Sequence, residues 1–274
     1  MFAFLSEILQ KKHIDTFAPV PLSACHVVRP YLLERAGISD GTAIMLAIPY
    51  YTHAAADPER NLSAYAVSRD YHLFFSALFQ EILPILREQF PAYRFAGFAD
   101  HSPIDEIHAA ASAGLGVLGD NHMLLTERYS SYVFLGEIIT DERIDCAPQK
   151  PQRCEGCGAC MRACPARDGS LCLSALTQKK GVLTPDEERR LLAHNTVWGC
   201  DICQEVCPHT RRAFTRGTIF SPIPFFSTDT IPHLSAASLA QMSDEAFEQR
   251  AYAWRRRETI GRNLALKEKG EPTC

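Results

Sequence analysis

Over residues 72–90 the apolar positions Phe74, Leu78, Ile82 and Leu86 recur every fourth residue among polar ones, which predicts an amphipathic helix with a single buried stripe. Pro84 falls inside it and is expected to kink it. Phe2, Leu5, Ile8 and Leu9 show the same spacing at the N-terminus. The segment SPIDEIHAAASAG, residues 102–114, reads as a third helix. Ser102 and Asp105 match a capping box, Pro103 suits the first turn, and Gly114 suits the stop. A fourth helix is expected over residues 243–257. Two apolar runs, AIMLAIPYY (43–51) and YVFLGEIIT (132–140), read as strands. Strands and helices alternate, which points to an α/β or α+β fold.

Prolines punctuate this pattern. Pro148 and Pro151 mark a boundary, and Pro222, Pro224 and Pro232 imply an extended stretch. The expected domains are an α/β domain over 1–148, a middle domain over 149–215, and a C-terminal segment, 216–274, packing back on the core.

The middle segment carries the chemistry. Of eleven cysteines, Cys154, Cys157, Cys160 and Cys164 form C-x2-C-x2-C-x3-C, followed by Pro165. This is the bacterial ferredoxin run, whose fourth cysteine ligates the other cluster of a pair. Cys200, Cys203 and Cys207, followed by Pro208, repeat its last three positions, and Cys172 between the groups can supply the missing ligand. Two [4Fe–4S] clusters follow: Cys154, Cys157, Cys160 and Cys207 hold one, and Cys164, Cys172, Cys200 and Cys203 hold the other. Structural zinc generally lacks the third cysteine and the C-P ending. Disulfides do not suit a reducing compartment. A single cluster with spare cysteines is the remaining alternative. Cys25, Cys146 and Cys274 lie outside the pattern and read as ordinary thiols.

Composition adds mainly exclusions. With 46% hydrophobic and 22% charged residues, the 274-residue chain can bury a sizeable core. No secretory signal and no apolar run of roughly 18 residues is visible, so a cytoplasmic location without a membrane partner is expected. A net charge of −4 argues against a general nucleic-acid binder. Locally, Arg211, Arg212 and Arg216, and then Arg255, Arg256, Arg257 and Arg262, form basic stretches, either solvated faces or a phosphate-contact surface.

Five blocks resemble the epoxyqueuosine reductases, corrinoid and iron–sulfur enzymes related to reductive dehalogenases. They are AYAVSRDYH (64–72), DHSPIDEIHAAASAGLGVLGDN (100–121), SYVFLGEIITD (131–141), the cluster region with LCLSALT and WGCDICQEVCP, and RRRETIGRNLAL (255–266). The resemblance implies an α/β (α+β) corrinoid-binding domain joined to a ferredoxin-like two-[4Fe–4S] domain. It implies reduction of epoxyqueuosine to queuosine in tRNA through a base-off cobalamin taken to the cob(I) state. A low-potential donor of the ferredoxin or flavodoxin type would feed the clusters. It makes Asp100 the catalytic proton donor and sets Tyr71, His72, Asp100 and Asn121 at the corrin, with His72 not a cobalt ligand. Gly114, Gly116 and Gly136 would let the backbone approach the cofactor. The chain departs from the family at Asp120, where a lysine is usual, at Ile107, where an arginine is usual, and over residues 64–68. Two other readings stand beside this one: a corrinoid reductase of a different small substrate, and a two-cluster electron-transfer or activator protein without its own substrate.

Overall fold

A computed structural model describes residues 1–270; Cys274 lies outside the described residues. Six strands occur in chain order: β1 (Phe17–Pro21), β2 (Thr42–Pro49), β3 (Phe95–Phe98), β4 (Val117–Leu118), β5 (Leu124–Leu125) and β6 (Val133–Thr140). The chain forms two compact units. The first comprises Met1–Tyr50, Tyr71–Cys157 and Pro208–Ile223, and the second comprises Tyr51–Asp70, Gly158–Cys207 and the chain from Pro224 onward. These units cut across the three consecutive segments expected from the prolines, because short stretches cross over, notably 51–70 into the second unit and 208–223 into the first.

The first unit is built on a sheet of order β1-β2-β6-β3, with every pairing antiparallel. The class is therefore α+β. The alternation of strands and helices in the sequence does not produce the parallel crossovers of a doubly wound sheet. All eight residues of β2 are buried, as a strand without polar alternation should be. Its register with β6 runs from Thr42 opposite Thr140 to Pro49 opposite Val133.

Side chains alternate along β6, so one strand serves two faces. Ile139 joins Val20, Met45 and the alanines of the helix Glu106–Ser112 in one apolar cluster. On the other face the helix Tyr71–Gln89 lays Phe75, Leu78, Ile82 and Leu86 inward. The buried stripe takes Phe75 in place of Phe74, because Phe75 meets Gly136 of β6. A Cβ at Gly136 would lie 2.4 Å from the Phe75 ring. The expected N-terminal helix, Phe2–Lys11, buries Leu5 and Leu9.

Two helices differ from expectation. The one expected at Ser102 begins at Glu106, with Asp105 as its N-cap accepting the His108 N–H at 3.1 Å. Ser102 is unavailable as a cap: its hydroxyl donates to Glu137 and accepts the Ile104 N–H. The helix expected over 243–257 is broken into Asp244–Glu248, a 3-10 turn Ala253–Arg255, and a helix Arg256–Gly270. The main chain at the break pairs elsewhere: Arg250 bridges Arg69, and the Gln249 carbonyl accepts the Asp70 N–H at 2.8 Å. The buried Arg250 guanidinium donates to the Asp229 carbonyl and carboxylate at 2.7 Å each.

The second unit has a small apolar core of Leu173, Leu176, Leu183 and Leu191, against which Cys200, Ile202 and Leu266 pack. Asn263 ties it together by donating to the carbonyls of Thr177 and Val197 at 2.7 and 2.9 Å. Trp198, fully buried, donates its indole N–H to the Tyr65 hydroxyl at 2.8 Å. Among the described residues no helix is long and apolar enough to cross a membrane.

The close approach of Gly136 to Phe75 is testable. Gly136→Ala should lower stability by about 1–3 kcal/mol through overpacking, seen as a lower thermal midpoint. Phe75→Leu in the same chain should recover part of that loss. Independent, additive effects of the two changes would refute the contact.

Candidate active site and cluster cage

Asp100 follows β3 in a turn. Its φ of +63° is unusual for a residue with a side chain, so local contacts must hold it there. One is the N–H of His101, which donates to the Ala99 carbonyl at 2.7 Å. Another is its own N–H, which donates to Glu106 Oε1 at 3.2 Å. The Asp100 carboxylate is 68% exposed and points at His72, whose Nε2 lies 3.6 Å from Oδ2. His72 is the second residue of the helix Tyr71–Gln89, and the Tyr71 ring before it stacks on Phe134 of β6 at 4.2 Å. The structure thus brings Asp100, His72 and Tyr71 to one corner of the sheet.

Around this corner lie apolar side chains open to solvent. Val27, Val28 and Tyr31 are each about half exposed. They are fixed to the Asp100 turn: Val28 and Arg29 N–H groups both donate to the Pro103 carbonyl, and the Tyr31 hydroxyl lies 2.8 Å from His101 Nε2. An apolar shelf beside an exposed acid suits a large, flat, mostly apolar ligand better than water.

Beneath the turn are two carboxyls the sequence reading did not single out. Glu137, on β6, is completely buried. Burial pushes its carboxyl well above the ordinary range, and the neighbouring Glu106 adds to this. Burial likewise raises Glu106, to about 7, with the Asp100 charge adding to it and the Asp100 N–H opposing it. The sequence did hold a signal for Glu137: a single acid inside the otherwise apolar run YVFLGEIIT.

Asn121 sits on the separate β4–β5 hairpin. Both polar atoms of its side chain are buried without a hydrogen-bond partner. Such an amide is costly unless something else meets it. Gly119 is required beneath it, since a Cβ there would lie 2.3 Å from Asn121 Oδ1. Asp120, in the place of the usual lysine, pairs with Arg153 at 3.1 Å. Gly114 and Gly116 line a cavity of about 300 Å³ together with His209, Arg212 and Arg216. Gly136 does not approach a ligand as expected; its open side faces Phe75.

In the second unit four thiols feel one another. The cysteines Cys164, Cys172 and Cys200 raise Cys203, and Cys164 and Cys172 raise Cys200. Burial is the larger cause at both positions, bringing Cys200 to about 11 and Cys203 to about 12. These are the four thiols assigned above to one cluster. Among the described residues no three ligating groups converge tightly enough for a single ion. A cubane sets its four thiolates a cluster's width apart, and four thiols near enough to influence one another fit that arrangement. All ten described cysteines are free thiols, with no disulfide among them.

The loop bearing Cys200 and Cys203 is pinned by Asp201, which lies between them and was not foreseen. Its carboxylate is fully buried and accepts from Arg60 at 2.9 Å, the Ala64 N–H at 2.7 Å and the Ser63 hydroxyl at 2.5 Å. Gln204 donates to it as well, at 3.0 Å.

Comparison with known proteins agrees with this geometry. Residues 153–210 match the 4Fe-4S double cluster binding domain family. An epoxyqueuosine reductase of Gloeobacter violaceus is 31% identical over 76% of this chain and 68% of its own length. The chain belongs to the epoxyqueuosine reductase family. One from Listeria monocytogenes is 32% identical over 72% of the chain, which spans only 54% of that relative. The structure of epoxyqueuosine reductase from Streptococcus thermophilus superposes with a TM-score of 0.80 at 20% identity, covering 98% of this chain and 81% of that one. A structure of an epoxyqueuosine reductase with a tRNA-Tyr epoxyqueuosine-modified stem loop superposes with a TM-score of 0.70 at 24% identity, covering 97% and 80%.

Epoxyqueuosine reductases use two [4Fe–4S] clusters and cobalamin, and the residues present fit both groups. The mutually interacting thiols fit a cluster. The orphaned Asn121 amide and the apolar shelf of Val27, Val28 and Tyr31 beside Asp100 fit a corrin.

Two outcomes follow for the cage. Cys172→Ala should lose about half of the chain's iron, because each cluster needs four thiolates; full iron content by chemical analysis would remove Cys172 from the ligand set. Asp201→Ala leaves the Arg60 cation without its buried carboxylate, with an expected cost of about 3–5 kcal/mol. It should release iron from the same cluster, and unchanged visible absorption would show that the anchor is dispensable.

Proposed function

We propose that this chain reduces the epoxide of epoxyqueuosine in tRNA to the alkene of queuosine, with Asp100 supplying a proton to the departing oxygen. The observation that carries this reading is the exposed Asp100 carboxylate, held at positive φ beside His72 on an apolar shelf, in a member of the epoxyqueuosine reductase family. Cobalamin, when bound and reduced, supplies the nucleophilic pair of electrons that opens the three-membered ring.

The residues of the chain do the rest. An epoxide oxygen leaves poorly as an alkoxide and readily once protonated, so an acid within hydrogen-bond reach lowers the barrier. Asp100 would be that acid, and His72, 3.6 Å from its carboxylate, would orient it. Tyr71, stacked on Phe134, fixes the helix start from which His72 projects. The amide of Asn121 would hydrogen-bond the corrin periphery.

Cys164, Cys172, Cys200 and Cys203 would hold one cluster and Cys154, Cys157, Cys160 and Cys207 the other. Both would pass electrons singly from a low-potential ferredoxin- or flavodoxin-type donor. The exposed Arg211, Arg212 and Arg216 on the helix Pro208–Arg216 support a tRNA partner. Arg257 and Arg262 do not add to that surface: they are occupied by main-chain carbonyls, those of Leu239 and Met242 for the first and of Lys179 and Gly181 for the second.

The test is to load the purified chain anaerobically with cobalamin, supply a low-potential reductant, and assay epoxyqueuosine against queuosine in tRNA. Asp100→Ala should retain cobalamin after desalting and lose turnover by roughly a hundredfold or more. Full activity in that variant would refute the assigned acid. Absence of retained corrin in the unaltered chain would refute the reading as a whole.

A further inference from the structure

Removing an epoxide oxygen to leave an alkene breaks two C–O bonds and forms one π bond. It consumes two electrons and two protons and releases water. One carboxyl beside the substrate holds one of those protons. Taking the proposed reaction as given, Asp100 must be reloaded within each turnover.

We infer that Glu106 and Glu137 are the proton store behind Asp100: the two carboxyls share one proton, and Glu106 passes it to the Asp100 carboxyl. The geometry is specific. Glu137 lies in the middle of β6 at zero exposure, and its Oε1 accepts from the Ser102 hydroxyl. Its Oε2 is buried and meets no donor as long as both carboxyls are ionised. The neighbour that can meet it is Glu106, and two carboxyls hydrogen-bond only when one is protonated. In that arrangement Glu137 donates and Glu106 accepts. Glu106 also reaches outward, accepting the Asp100 N–H at 3.2 Å. The contacts run from a sealed carboxyl, through a half-sealed one, to the main-chain N–H of the residue that carries the exposed one.

The other charged and titratable groups facing the pair are few. Arg29, whose guanidinium donates to the Ser102 carbonyl at 2.8 Å, favours ionised Glu106. The Asp100 charge opposes it, with His72 beyond. Cys25 faces Glu137, but burial lifts its thiol to about 12, so it stays neutral. No cation sits against Glu137 among the groups that act on it. A buried carboxyl kept only as structure would be better replaced by an amide, which makes the same hydrogen bonds at no ionisation cost. An amide has no proton to give.

Sharing a proton has a sign that stability can read. Both carboxyls titrate higher folded than unfolded. Their favourable contribution is present below the ordinary glutamate range and is lost as pH rises through about 7, where Glu106 ionises. Glu137→Gln removes the part of that loss that belongs to Glu137. The thermal midpoint of the variant relative to the unaltered chain should therefore rise between about pH 5 and about pH 8.

The deciding experiment uses the cluster-loaded chain with Glu137→Gln and, separately, Glu106→Gln. Infrared difference spectra at neutral pH should show a protonated-carboxyl stretch in the unaltered chain that is lost in Glu137→Gln and shifted in Glu106→Gln, where the acceptor becomes an amide oxygen. Glu106→Gln still accepts the Asp100 N–H through its amide oxygen, so cobalamin retention should be unchanged. Its steady-state turnover should fall by roughly tenfold to a hundredfold, and the limb of the pH–rate profile near 7 should vanish. A missing carboxyl band, or a variant with unchanged rate and unchanged pH profile, overturns the store. If Glu137→Gln fails to fold, Glu106→Gln decides alone on the same readouts. An unaltered chain that shows the band but no turnover of epoxyqueuosine tRNA sinks the proposed function, and with it the delivery step. An absent band with normal turnover sinks only the pair.

Discussion

The eight-residue antiparallel pairing of β2 with β6 is the constraint on which the first unit depends. It is anchored by the burial of every β2 residue and leaves β6 no freedom of register. Because successive side chains point to opposite faces, that fixed register decides what each face receives. Glu137 and Ile139 go to the side of the alanine-rich helix Glu106–Ser112, while Phe134 and Gly136 meet Tyr71 and Phe75 of the long helix. A slip of one residue would move the buried acid under the aromatic helix and pull the ring support from Tyr71. The pairing thus sets both the support of His72 and the carboxyl behind Asp100.

The two units each bury one acid completely and satisfy it in different ways. Asp201 meets a guanidinium, a main-chain N–H, a hydroxyl and an amide, each of which favours its charge against the burial that opposes it. Glu137 meets a hydroxyl and another acid. The first arrangement stabilises an anion and so makes a rigid anchor for the cluster loop. The second stabilises a neutral carboxyl and so keeps a proton. Burial raises both carboxyls, and the donor inventory decides how strongly that rise is opposed.

Much of this was legible in the sequence. Cysteine spacing pointed to Cys172 as the ligand missing from the second run, and the structure sets that thiol near Cys200 and Cys203. Both long strands and the Tyr71–Gln89 helix were visible from their apolar periods. What periodicity could not supply was partner choice. Ser102 carries the mark of a cap, yet it is drawn to Glu137, thirty-five residues away, and the helix starts later. The break at Arg250 goes with main-chain pairing to Arg69 and Asp70, another contact distant in sequence. Glu106 was visible only as one letter of a block, because its proximity to Glu137 exists only once the sheet and the helix Glu106–Ser112 have packed.

The leucine core of the second unit has a consequence of its own. Leu173, Leu176, Leu183 and Leu191 are few, and the thiol of Cys200 packs directly against them. So small a core is a weak basis for independent stability, and a cluster bound nearby adds its binding free energy to folding. Binding a cluster would then contribute to the folding of this unit as well as to its chemistry.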